Sequence, residues 1–297
     1  MKIEKCHVRA VSVPLNVPVK TAAGHVTHVP LALVDLTADS GVVGKSYVFT
    51  YTPIALGPVC QLIEGLSLAL IGEELSPLGI ESTLAGRLRL VGQTGLTGFA
   101  VSAIDMACWD ALARSVSLPL ARLLGGDLRP VRTYLSVGMD GAASAEKSAQ
   151  EAVDRGFKAM KIKIGYPTLK EDLDAIKAAL DVLEDKARLA VDYNQSLTVN
   201  EALRRCRVLN EYDLLWIEEP TLQDDYEGHA RISAAITTPV QIGENWFGAK
   251  EMAKSISASD CSGIVVLRRG GTRCKIVSQP RRQLARTDRF FQKLGIT

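Results

Sequence analysis

The segments LAVDYNQ (189–195), LLWIEEP (214–220) and QIGENW (241–246) decide how this chain folds. Each is a short apolar run that leads to a carboxylate, Asp192, Glu218 and Glu244 in turn, and both intervals are 26 residues. An interval of that size holds one strand, one helix and two loops, which predicts three successive parallel strands that each end in an acid. Carboxylates at the same end of neighbouring strands converge on one point. Three converging negative charges repel unless a cation sits between them, and an oxygen-only set suits a hard ion such as Mg²⁺.

Outward from these segments the alternation is regular. Strand-like runs at 132–137, 158–164, 187–192, 213–218, 239–243 and 261–267 are followed, in the first five cases, by helical patterns near 143–155, 169–183, 198–209, 225–235 and 248–257. Six strands at this period predict a barrel of the (β/α)₈ type over residues 128–267, two units short of closure, with its site at the C-terminal strand ends. A doubly wound sheet is the other architecture this pattern permits, but the chain lacks that fold's glycine-rich first turn. Residues 1–127 read differently. Strands are expected at 2–15 and 30–38, a turn at Asp39–Gly41, then a strand VVGKSYVF and helices near 53–71, 78–90 and 97–114, which makes this an α+β domain.

Composition narrows the function classes. The 297 residues are 47% hydrophobic and 23% charged, as in a soluble globular protein. No apolar run approaches the roughly 20 residues that span a bilayer, and the alternating N-terminus lacks a signal-peptide core. The six cysteines are scattered without a Cys-x-x-Cys pair, which suits isolated thiols in a reducing cytoplasm. Hence the expectation is a cytoplasmic protein with no membrane partner. The net charge of +2 conceals a basic end, since residues 268–297 carry nine lysines and arginines against one acid, Asp288. That end has neither a binding motif nor a regular aromatic stripe, so no nucleic-acid partner is expected.

Lys161 and Lys163 flank Ile162 in the second barrel strand. A period of two puts both lysines on one face, and Met160, Ile162 and Ile164 on the face where helices pack. Burial and like charge both favour loss of a proton, so one lysine is expected to have a lowered pKa and to act as a base. Asn194, two residues after Asp192, shares its side and is placed to bond a ligand. Glu219 points elsewhere and reads as a support for the acids around it. Lysines beside a metal-bound ligand suit proton removal from the carbon next to a carboxylate, because the ion and nearby donors neutralise the charge of the enediolate that forms.

Lysine bases with Mg²⁺ are the pattern of the enolase superfamily, and the resemblance becomes explicit here. TAAGHV, SYVFTYTPIAL, IDMACWDALA, LARLLGG, KIKIGYP, VDYNQSL, WIEEPTLQDDYEGH and PVQIGENW resemble the mandelate racemase group over about residues 5–260. The resemblance implies an α+β capping domain on a barrel and an isomerase that interconverts the enantiomers of mandelate, a small 2-hydroxy acid. It implies Lys163 as the base and Lys161 as the lysine that binds the substrate carboxylate. Asp192, Glu218 and Glu244 correspond to the Mg²⁺ ligands, and Asn194 and Ser136 to substrate contacts. Ala23, Val26 and Tyr51 fall in the flap that covers an aromatic substrate, with Ala23 smaller than the valine expected there. A homo-oligomer is a further expectation from the resemblance.

The sequence departs from the family after about residue 262. Racemisation needs a second base, a histidine on strand seven paired with an aspartate at the end of strand six. None of His7, His25, His28 and His229 lies there, and Leu267 stands at the aspartate position. For His229, in the helix after Glu218, a solvated or capping role is expected. Residues 268–297 read as an aberrant basic tail of poor periodicity, explained by a reading-frame shift, by a divergent shortened barrel or by selection for nucleic acid. Strand six is then expected to leave an unpaired edge, and the chain to be poorly stable. Two alternatives stay open beside the racemase reading: a one-base acid-sugar dehydratase or muconate-type cycloisomerase, and a non-catalytic remnant.

Overall fold

The structure, a computed structural model, describes residues 1–22 and 24–258 in full and the backbone of two later strands. The chain divides into two compact units, chiefly Met1–Val17 with Thr27–Val131, and Pro18–Val26 with Arg132–Arg268.

The first unit is built on a sheet of order β1 (Ile3–Thr21), β2 (Gly24–Ala38) and β3 (Val43–Phe49). Ala32, Val34, Leu36 and Ala38 alternate along β2 as its buried face, and β2 pairs antiparallel with β3 from Leu31↔Phe49 to Thr37↔Val43. Helices α1 (Pro53–Leu68), α2 (Pro77–Arg87), α3 (Gly95–Ser115) and the short α4 (Leu120–Leu123) follow. The small residues Ala100, Ala103, Ala107 and Ala111 recur at helical spacing on α3 and let it lie close to β3. At the contact a Cβ on Gly44 would stand 2.0 Å from the Ala107 carbonyl oxygen, so only glycine fits. Contrary to the sequence expectation, α3 is long and apolar enough to cross a membrane, with 21 residues. Its burial against β3 and α1 gives it the place of a core helix instead.

The first two strands are longer than expected. They run on past residue 15 and start before residue 30, so the predicted flap is the end of a β-ribbon rather than a loop. Its turn is closed by Thr21 Oγ1 donating to the Gly24 carbonyl (3.1 Å), with Gly24 at φ +135°. Ala23 lies outside the described residues.

In the second unit β4 (Leu135–Ser136), β5 (Ala159–Lys163), β6 (Arg188–Asp192), β7 (Ile217–Glu218), β8 (Val240–Ile242) and β9 (Ile264–Arg269) are parallel neighbours in chain order. A doubly wound sheet reverses its order at a switch point; this one does not, which is the barrel-type arrangement. Helices α5 (Ala142–Asp154), α6 (Leu169–Leu183), α7 (Val199–Leu209), α8 (Tyr226–Ala234) and α9 (Ala249–Ala258) link them. Their starts are written locally. Thr168 and Glu171 form a capping box on α6, Thr198 caps α7, and Asp225 caps α8. Met160, Ile162, Leu189, Val191, Ile217, Val240 and Ile242 supply the strand side of the core.

Strand six is not the sheet's edge. Thr272–Val277 forms a further strand, β10, beside β9. The many basic residues hid its alternation: Thr272, Cys274 and Ile276 are interleaved with Arg273 and Lys275. Leu267 lies within β9, and the expectations for residues 278–297 fall outside the described residues.

Candidate active site

Strand register assembles the site. Lys163 pairs with Asp192, Asp192 with Glu218, and Glu218 with Gln241, so four side chains form one row on the inner face at the C-terminal strand ends. Ser136 pairs with Lys161 one layer deeper, and is itself exposed.

Lys161 bridges two of the predicted acids. Its ammonium lies 3.1 Å from Asp192 Oδ2 and 2.8 Å from Glu218 Oε2, with all three side chains almost fully buried. Lys163 Nζ donates to the same Asp192 Oδ2 (2.9 Å) and to Asn194 Oδ1, while its side chain keeps 14% of its exposure. Asn194 also donates its backbone N–H to Asp192 Oδ1 (2.9 Å). Beneath them Trp216 Nε1 donates to Glu218 Oε2 (2.9 Å), and the Tyr134 ring meets Trp216 edge-on with Lys161 Nζ 5.8 Å from its centroid.

Burial and charge pairing compete in this row. Burial does press the Lys161 ammonium towards neutrality, but Asp192 and Glu218 outweigh it, and its pKa is raised rather than lowered. Its two acid partners favour the charged form of Lys161. Burial likewise pushes Asp192 up, and Lys161 and Lys163 together hold it below the usual carboxylate range. Glu218 ends raised: burial is the largest cause, and repulsion from Asp192 and Glu244 adds to it against the pull of Lys161.

Glu219 does turn away from the row, into a network across three loops. It accepts from Asn245 Nδ2 (2.7 Å) and Gln195 Nε2 (3.2 Å), and Gln195 Oε1 in turn accepts from the Gln223 N–H (3.0 Å). Burial, followed by the charge of Glu244, pushes Glu219 up to about 8. Asn194, Gln195 and Glu219 all have left-handed backbones, with φ of +45°, +66° and +40°. Such conformations strain non-glycine residues, and here they fall within three residues after two of the acids.

A second buried network, which sequence reasoning missed, fixes the loop after β5. Asp172 accepts from Gly165 N (2.8 Å), Tyr166 N (2.9 Å), Tyr193 Oη (3.2 Å) and Arg205 Nη1 (2.7 Å). Arg205 also donates to the carbonyls of Tyr166 (2.9 Å) and Pro167 (3.1 Å). Its signal was available: Asp172 falls on the same helix face as Ala175, Ile176 and Ala179, which are buried.

The ribbon tip sits on these same loops. Lys20 pairs with Asp140 (2.8 Å), the Met139 N–H donates to the Lys20 carbonyl (2.9 Å), and a Cβ on Gly165 would meet Ala22 Cβ at 3.1 Å. Val26 is half-buried in this unit. Tyr51 belongs to the first unit, where its ring lies 4.6 Å from Phe49 and 6.3 Å from Phe99. His229 is neither solvated nor a cap. It is buried in α8, with Nδ1 donating to the Asp225 carbonyl (2.9 Å).

A family profile of the mandelate racemase / muconate lactonizing enzyme N-terminal domain matches residues 3–125, and an enolase C-terminal domain-like profile matches residues 144–273. This chain belongs to the mandelate racemase group of the enolase superfamily. A Bradyrhizobium enolase solved with magnesium and mandelic acid is 39% identical at a TM-score of 0.85, covering 91% of this chain and 76% of that one. The L-talarate/galactarate dehydratase of Salmonella typhimurium is 30% identical over 272 residues, 87% of this chain and 68% of the dehydratase. The 3,6-anhydro-alpha-L-galactonate cycloisomerase of Streptomyces coelicolor is 34% identical over 219 residues. The match takes in 72% of this chain and 60% of the cycloisomerase, so the chain spans less than two thirds of that relative's length. Enzymes of the superfamily thus include both isomerases and a dehydratase at similar distances from this chain.

Proposed function

We propose that this chain binds Mg²⁺ and removes the α-proton of a 2-hydroxy carboxylate of the mandelate type. The observation that carries the reading is the pairing of a locked lysine with an accessible one. Lys161 is held charged between two acids, whereas Lys163 reaches the mouth on Asp192 and Asn194. The magnesium and mandelic acid bound by the Bradyrhizobium relative support the choice of ion and ligand.

The donor set fits the ion. Asp192 and Glu244 both push up the pKa of Glu218 and of Glu219, so four acids crowd together here against two lysines. As they stand, no three acids among the described residues enclose a metal position, because Asp192 and Glu218 are turned onto Lys161. An excess of buried carboxylate with only oxygen donors is what a hard cation relieves. Asp192, Glu218 and Glu244 would hold it, and when bound it supplies Lewis-acid stabilisation of charge on the substrate carboxylate. The Lys161 ammonium faces that carboxylate as a second, permanent positive charge. Lys163, in its neutral form, takes the proton at Nζ as the α-carbon–hydrogen electron pair moves into the enediolate. Return of the proton completes exchange. Asn194 holds Lys163 in line and offers its own amide to the ligand.

A second reading keeps the same first step and ends in dehydration or cycloisomerisation of an acid sugar. It is favoured by the two curated relatives named above, and no histidine joins the lysine cluster among the described residues. Proton NMR in D₂O with Mg²⁺ separates the two, with (S)-mandelate and galactarate offered side by side. Loss of the mandelate α-proton signal supports the first reading, and conversion of galactarate alone supports the second. If neither compound exchanges or reacts, the catalytic assignment fails.

A further inference from the structure

Gln241 is the polar residue of β8, set between Val240 and Ile242, which both lie in the helix-side core. Alternation therefore turns Gln241 to the inner face, and register places it directly beside Glu218, in the row that continues to Asp192 and Lys163. The residue is 2% exposed, and its Oε1 has no hydrogen-bond partner among the described residues. A buried acceptor without a donor is destabilising, and an apolar side chain would fill the place without that cost. In their ionised form the acids beside it only accept hydrogen bonds and do not satisfy another acceptor.

We infer that Gln241 is a positioning residue for the divalent-ion site, accepting a hydrogen bond from an O–H group that arrives with the ion. This rests on the ion-binding reading above. Mg²⁺ dehydrates reluctantly and usually keeps several waters, so the ion itself brings such donors to the level of Asp192 and Glu218. The other source of the same chemistry is the hydroxyl of the substrate. The two are separated by measuring ion binding first without and then with mandelate.

The test is calorimetric titration of MgCl₂ into the full chain and into Gln241→Met and Gln241→Glu, with thermal melts of each in the absence and presence of the ion. Met preserves length without an acceptor; Glu retains the acceptor. Gln241→Met is expected to weaken Mg²⁺ binding about ten-fold, the scale of one buried hydrogen bond, while its metal-free melting point equals or exceeds that of the wild type. Gln241→Glu is expected to bind at least as tightly as the wild type. If Gln241→Met binds the ion normally but loses mandelate affinity, the donor is the substrate hydroxyl and the water assignment is overturned. Equal affinities for both ligands, or a Gln241→Met chain destabilised without the ion or unable to fold, overturn the inference and leave the ion reading intact. A wild-type chain that shows neither heat nor a melting shift with Mg²⁺ overturns both.

Discussion

The Asp172–Arg205 pair gives the sharpest test of how the site is held. Replacing Asp172 by Asn keeps one oxygen for the Gly165 and Tyr166 N–H groups, now at 2.8 and 2.9 Å, but sets an amide –NH₂ against the guanidinium. Arg205 is then a cation at 5% exposure with no fully buried counter-charge. Removing one partner of a buried ion pair costs about 3–5 kcal/mol. Arg205 retains Glu201 at 2.6 Å and two carbonyls, which places the loss near the lower end, about 3 kcal/mol. In a domain of this size that corresponds to a fall of about 6–12 °C in Tm. Urea and thermal unfolding followed by circular dichroism measure it. The double variant Asp172→Asn/Arg205→Met should recover much of the loss, because an apolar replacement removes the stranded charge. A single-variant loss below about 1 kcal/mol, or a double variant no better than the single, would refute the argument that this pair clamps the loop.

Other consequences are equally concrete. Lys163→Ala should abolish α-proton exchange while the circular dichroism spectrum stays unchanged; retained exchange would assign the base elsewhere. Gly44→Ala should cost about 3 kcal/mol or more in the first unit, since the new Cβ meets the Ala107 carbonyl at 2.0 Å and Ala111 Cβ at 2.7 Å, and limited proteolysis of that unit would report it. Burial lowers the pKa of His229 from its ordinary 6.5. As pH falls below about 6.5 the unfolded chain takes up a proton that the folded one refuses, so stability declines with acidity there. His229→Gln should flatten that part of the stability–pH curve; an unchanged slope would show that His229 protonates freely in the folded state.

Much of the architecture was legible because its signals are local. Helix α6 starts and stops where Thr168, Glu171 and the apolar spacing place it, and α7 and α8 follow within a residue of the pattern. The short strands β4 and β7 were overestimated, since an apolar run does not reveal how many of its residues pair. The ribbon was underestimated: β1 and β2 are neighbours, and residues 16–20 and 24–29 within them are mostly exposed, so they lack a buried face to betray them. Among site residues, Lys161, Lys163, Asp192, Asn194 and Glu218 gather as the period-two argument required. Trp216, Gln195, Gln241 and the Asp172 network were missed; Gln195 and Asp172 meet Glu219 and Arg205 from other βα units, Gln241 joins by strand register, and Trp216 bonds Glu218 two residues on within its own strand segment.

By itself the sequence determined that equally spaced acids and a Lys-x-Lys strand meet at one end of a parallel sheet, because side-chain direction in a strand follows from counting residues. The tertiary structure alone decided which way burial and pairing push the ionisation of Lys161. The ionisation of Lys161 depends on distances to Asp192 and Glu218, residues 31 and 57 positions away, and at 3.1 and 2.8 Å their attraction overcomes the cost of burial. Counting places a lysine in the site; only packing sets Lys161 between two acids that favour its charged form.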